Sequence, residues 1–116
     1  MNKRLMCSLA VVGLTAGCAT VQIPPDRLEG TEASLRGAAE LGAASVPAAK
    51  LHMQLATDQA EQARKMAKDG DPRAVLVLGR AQADAELALG LAREVSVHGE
   101  ALRAAEDLEA VRARTP

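Results

Sequence analysis

The sequence predicts an all-α fold: an antiparallel helical hairpin, coiled-coil-like, with a short extra N-terminal helix behind an N-terminal leader. Three observations predict it. After Thr31, apolar residues recur at spacings of three and four, the period of one helix face. Pro47 cannot continue a helix but suits the first turn of the next, which separates a first segment from a second. Gly70-Asp71-Pro72 then offers a helix stop, an N-cap and a first helical position in succession, the chemistry of a tight turn between antiparallel neighbours.

The leader comes first. Lys3 and Arg4 precede an uncharged run from Leu5 to Ala16. At about twelve residues it is well short of the roughly 20 that span a bilayer as a helix, and it matches the apolar core of a secretory signal. The segment Leu14-Thr15-Ala16-Gly17-Cys18 resembles the lipobox of bacterial lipoproteins, with Thr15 where leucine is more usual. That resemblance implies a signal peptide over residues 1–17, cleavage between Gly17 and Cys18, and a diacylglycerol on the Cys18 thiol. In well-studied lipoproteins an aspartate after the cysteine resembles an inner-membrane retention signal. Ala19 stands there in this chain, so the resemblance implies the outer membrane, facing the periplasm.

Bulk properties narrow the function classes. Residues 18–116 are the size of one small domain. Losing Lys3 and Arg4 moves the formal charge from −1 to −3, so no nucleic-acid partner is implied, because such binders concentrate a basic excess on one face. Cys7 leaves with the leader and Cys18 is consumed by lipid, so no thiol remains for a disulfide, a metal or a nucleophile. The chain has no Phe, Tyr or Trp, which argues against sugar-stacking or base-stacking sites. It also leaves a thin core: a buried Leu contributes roughly 1.5–3 kcal/mol and an alanine much less. A protein partner or self-association is therefore expected.

Residues 18–30 read as a lipidated tether, since they hold Pro24-Pro25 and no amphipathic period. Twelve extended residues would reach about 40 Å. The alanine-rich helical domain is expected over residues 31–113. Its first helix places Leu35, Ala38, Ala39, Gly42 and Val46 on one face and Glu32, Arg36 and Glu40 on another. The second, from Pro47 to Asp69, is two-sided: Ala48, Leu51, His52, Leu55, Ala56, Gln59, Ala63 and Met66 oppose a largely charged side of Lys50, Gln54, Asp58, Glu61, Arg64, Lys65 and Lys68. The third runs from Pro72 to about Arg112, roughly 60 Å as one helix. Its best seam is Leu78, Ala81, Ala85, Ala88, Ala92 and Val95, with steps of three and four. Gly99 would bend or end it, and Leu102, Ala105, Leu108 and Val111 resume an apolar line.

From Ala33 to Leu91 the alanine spacing, with Glu40, Gly42-Ala43, Pro47, Leu51, Gly70-Asp71 and Ala81-Gln82-Ala83-Asp84-Ala85, resembles domain-of-unknown-function family 4398. This family comprises alanine-rich helical domains of bacterial envelope lipoproteins. The resemblance covers about half the chain. It implies no reaction and supplies no catalytic residue.

The chemistry-bearing residues were weighed singly. His52 lies in the apolar stripe of the second helix and reads as a packed seam histidine. Glu94 and His98 share a face at i, i+4, but no third metal ligand accompanies them, so no metal or other cofactor is implied. Glu106, Asp107 and Glu109 read as a solvated face, since a catalytic carboxylate pair needs contrasting environments. Ser34, Ser45 and Ser96 sit in no nucleophile motif. Arg64, Lys65 and Lys68 form a local basic patch suited to anionic envelope polymers, interrupted by Glu61 and Asp69. Gly79, Ala83 and Gly90 make a small-residue strip nearly opposite the seam, a candidate groove for the first helix or another subunit. The expected function is a non-catalytic structural or interaction module, membrane-anchored by lipid. The alternative is a binder of cell-wall or lipopolysaccharide polymers through the basic patch.

Overall fold

The computed structural model of the chain describes residues 20–115. They form α1 (Pro25–Glu40), α2 (Pro47–Lys68) and α3 (Ala74–Arg114), with a 3₁₀ turn at Ala43–Ser45 between the first two. There is no strand among the described residues. The all-α expectation holds.

The first helix begins earlier than the sequence suggests. Pro24 is extended and Pro25 occupies the first helical position, with Asp26 in the first turn; fixed proline φ and an acid near the positive helix end both favour a start there. Residues 25–30, read as tether from their prolines and Gly30, therefore belong to α1. Thr31 is fully buried because its Oγ1 donates 2.8 Å to the Arg27 carbonyl within the helix, which removes the cost of an unpaired hydroxyl. Gly42, at φ +77, ends this segment, and Pro47 opens α2 as its ring predicts.

Gly70 adopts φ +74 just past α2. Its N–H bonds to the Ala67 carbonyl at 3.1 Å, and the Asp71 N–H reaches the Met66 carbonyl at 2.9 Å. These two bonds make a Schellman stop, which needs a left-handed residue at that position. Asp71 and Pro72 were expected as N-cap and first helical position, but Arg73 stands at the N-cap of α3 with no side-chain cap bond; Asp71 Oδ1 instead accepts from the Arg73 N–H at 2.9 Å within the turn. The Ala74 N–H bonds to the Asp71 carbonyl, an i→i+3 closure that delays the regular helix to Ala74.

The three helices pack through alanine. The fully buried set on α3 is Ala74, Leu78, Ala81, Ala85, Ala88 and Ala92, and on α2 it is Ala49, Ala56 and Ala63, with Ala60 and Ala67 nearly so. Pairings run in opposite order along the two helices: Ala49 clusters with Ala88 and Ala92, while His52 and Gln59 both reach Asp84. On α3 the expected seam holds from Leu78 to Ala92, but Val95 is 53% exposed, because α1 and α2 end before reaching it. On α2 the expected stripe was turned too far. Leu51 and Leu55 are exposed, as is Ala48, and the interface passes through Ala49, Ala56, Ala60, Ala63 and Ala67. Burying leucine would gain more per residue, but two backbones held at alanine distance leave no room for it. Of the expected charged side, Lys50, Gln54, Asp58, Glu61, Lys65 and Lys68 are exposed, while Arg64 is half-buried and paired with Glu32 of α1.

The first helix lies against both others. Its N-terminal half meets the end of α2, where Glu32 pairs with Arg64. Its C-terminal half meets the middle of α3, where Ala38 joins Ala88 and Ala92. Gly37 explains the closeness: a Cβ there would stand 3.2 Å from Leu89 Cδ1. The chain therefore enters at the α2–α3 turn end. The far end of α3 leaves on the opposite side, about 33 Å past Ala92 at 1.5 Å per residue.

Candidate functional site

One polar network crosses the α2–α3 interface. The amphipathic period of α2 puts His52, Leu55 and Gln59 on one edge of its alanine stripe, at i, i+3 and i+7. The opposite order of α3 brings Asp84 level with them. His52 Nδ1 and Asp84 Oδ1 are 2.8 Å apart, and Gln59 Nε2 donates to Asp84 Oδ2 at 2.8 Å. Both carboxylate oxygens are thus occupied, and the side chains of His52 and Asp84 are about a quarter exposed. Gln59 Oε1 is buried without a hydrogen-bond partner among the described residues, a cost of about 1–3 kcal/mol. That cost is explained by the amide being held with its NH₂ toward the acid. The arrangement aligns two helices; it puts no nucleophile beside the imidazole.

His52 is thus the half-buried seam residue expected, but its partner Asp84 was not foreseen. Counting outward from the Gly70-Asp71 turn sets Asp84 opposite Thr57, between His52 and Gln59, and sets His52 itself opposite Leu89, so sequence position alone does not give the pairing. Arg64 is also engaged: it donates to Glu32 of α1. With both side chains about 40% exposed, such a pair contributes on the order of 0–1 kcal/mol. Lys65 and Lys68 are exposed in the last turn of α2, where positive charge suits the helix dipole. The basic patch of three is therefore two free cations and one that ties α1 down.

At the turn, Arg73 forks onto Asp71, with Nε to Oδ1 at 3.0 Å and Nη2 to Oδ2 at 2.6 Å. That side-chain hydrogen bonding holds the Asp71 carboxyl below its ordinary value and the Arg73 guanidinium above its own. An open hollow beside this pair is lined by Gln62, Met66, Val77 and Arg80. Glu94 and His98 are both exposed, as are Glu106, Asp107 and Glu109. No group of three or more His, Cys, Asp or Glu among the described residues is placed to hold a metal. The Ser45 hydroxyl is committed to the Gly42 carbonyl at 2.7 Å. Gly17 and Cys18 lie outside the described residues, and no described helix is long and apolar enough to cross a membrane.

The small-residue strip receives no helix among the described residues. A Cβ built on Gly79 or Gly90 would meet nothing within 4 Å, and Ala83 is exposed. The first helix docks through Gly37 instead, on a different side of α3. What remains outside is large. Leu51, Leu76, Leu87, Val95, Val97, Leu102, Leu108 and Val111 are each between 45% and 70% exposed.

The chain matches no protein-family model, and no curated protein or solved structure is found similar to it.

Proposed function

We propose that this protein is a bacterial envelope lipoprotein, held in the outer membrane by acyl chains on Cys18 and working in the periplasm as a non-catalytic interaction module. In this reading α2 and α3 form a coiled-coil-like hairpin with α1 laid along it, an alanine-rich helical domain of the kind that domain-of-unknown-function family 4398 comprises. One observation supports the interaction role above others: the helices pack by alanine while most of the leucines and valines stand outside. Apolar side chains left exposed in a series along one helix are the mark of a surface that meets a partner. The lipobox-like Leu14 to Cys18 segment supports the anchor.

The anchor reading has a geometric consequence. Because α1 starts at Pro25, only residues 18–24 separate the lipid from the bundle, a reach of roughly 20 Å. The turn end then sits close to the bilayer, and α3 projects away from it. Acyl chains contribute about 0.8 kcal/mol per buried CH₂, so Cys18→Ser is expected to release the protein from the membrane pellet. Retention after a high-salt wash, with signal cleavage verified by mass, would overturn the anchor.

Polymer binding through Arg64, Lys65 and Lys68 is the weaker alternative, because Arg64 is drawn inward by Glu32. Retention of the protein on purified sacculi, lost in Lys65→Ala/Lys68→Ala, would favour it.

A further inference from the structure

The outward face of α3 carries an unbroken three-four stripe. Leu76, Arg80, Ala83, Leu87, Gly90, Glu94, Val97, Ala101, Ala104, Leu108 and Val111 follow one another in alternating steps of four and three. Every one of them is solvent-exposed or open. This stripe lies opposite the buried Leu78–Ala92 seam, so α3 bears two heptad faces and this chain fills only one. The earlier strip of Gly79, Ala83 and Gly90 is a fragment of the second face. Beyond Ala92, α3 has no neighbouring helix among the described residues, and an isolated helix of some 20 residues is marginal in water.

We infer that residues 97–111 of α3 pair with the same segment of a second copy of this chain, in parallel and in register. Charge and layer filling together decide partner and direction. With Ala101 and Leu108 at a, and Val97, Ala104 and Val111 at d, the g positions are Glu100, Asp107 and Arg114, and the e positions are His98, Ala105 and Arg112. In a parallel pair g faces the next e of the partner. Asp107 then meets Arg112 of the second copy, twice by symmetry, and all five layers are apolar. In an antiparallel pair g faces g. One register sets Glu100 against Asp107 and Val111 against Glu94; the other pairs Glu100 with Arg114 but sets Asp107 against itself and Val97 against Thr115, so neither fills all five layers. The same rule sets the limit of pairing. Glu94 and Arg80 fall at a, so in-register pairing carried inward would stack each against its own copy in a desolvated layer, and the contact stops at Val97.

Five layers, two of them alanine, give a weak association in free solution. Copies held on one bilayer with their α3 ends projecting the same way meet at far higher effective concentration. In that respect the inference rests on the proposed anchor.

Short bis-maleimide crosslinking of the full chain in membranes tests it, with the unchanged chain as background for Cys7 and Cys18. Val97→Cys, Ala104→Cys and Val111→Cys are each expected to give a homodimer several-fold above background, whereas Arg103→Cys, on the outward side, stays at background. Adding Leu108→Glu should return all three to background while the thermal melt of the α1–α3 bundle stays where it was, because residues 97–111 are not part of the alanine core. The inference is overturned by no dimer at any of the three, by dimer at Ala104→Cys alone, which is the antiparallel pattern, or by adducts only with a protein of another mass. Fractionation of the same cells reads the anchor separately, so either proposal can fail without the other.

Discussion

Ala85→Leu probes the packing on which the fold depends. Ala85 is 0% exposed and lies midway along the α3 seam, one turn from Ala81 and Ala88, which are equally buried. Leucine adds three carbons where two backbones already approach at alanine distance, and overpacking of a filled site costs about 1–3 kcal/mol. For a domain of this size each kcal/mol moves the melting temperature by roughly 4–8 °C. A fall of about 5–20 °C is expected in circular dichroism melts, compared at one fixed protein concentration so that association does not shift the result. Ala83→Leu is the control, because Ala83 is exposed on the same helix and both residues are good helix formers. It should change stability by no more than about 0.5 kcal/mol. Neutral or stabilising behaviour of Ala85→Leu would refute the alanine interface.

Leu78 is the one leucine fully buried among the described residues, so Leu78→Ala should cost about 2–5 kcal/mol, while Leu51→Ala, at a site 53% exposed, should cost under about 1 kcal/mol; equal losses in urea melts would put Leu51 back in the interface. Gly70→Ala should destabilise by about 1–2 kcal/mol, since an L side chain at φ +74 pays the left-handed penalty; an unchanged melt would mean the turn is made otherwise. The Asp71 carboxyl is held below its ordinary value of 3.8 by the Arg73 side chain. A group depressed in the folded state contributes stability at neutral pH and loses it as pH falls below that ordinary value through the lowered one. The stability gap between the native protein and Asp71→Asn should therefore close on acidification below about pH 4, and a gap that stays constant would exclude the charge as its cause.

Helix existence and the two turns were legible because they rest on local chemistry. Pro47 at a first helical position and Gly70 at a helix stop act within one turn of chain, whereas Asp71 bonds only into the turn and the regular helix waits until Ala74. The seam of α3 was legible too, as only one stripe there is made of small residues throughout. The face of α2 was not. Its leucines mark one stripe and its alanines another about 100° or more away, and apolar periodicity alone cannot say which is covered. The choice depends on how near the partner backbone comes, a property of Ala81, Ala85 and Ala88 across the interface. The start of α1 was missed for a related reason: Pro24-Pro25 reads equally as an extended linker or as a helix opening, and what favours the helix is burial of Thr31 and Ala38 against a distant segment. Asp84 as the partner of His52 and Gln59 is likewise visible only after the two helices are aligned.

The same alanine economy links fold to proposed role. A core of alanines gains little per residue, so the bundle is expected to hold only a modest margin of stability. It also frees most of the larger apolar side chains from the interior, which is the reverse of the usual distribution. Hiding those side chains would have required wider helix spacing and a bulkier seam; exposing them on a 41-residue helix sets Leu76, Leu87, Val97, Leu108 and Val111 along one stripe. The tether leaves from one end of the bundle and the unpaired half of α3 from the other. A membrane anchor at Cys18 would therefore present that stripe outward and side by side with those of neighbouring copies, the geometry in which a contact of five layers becomes effective.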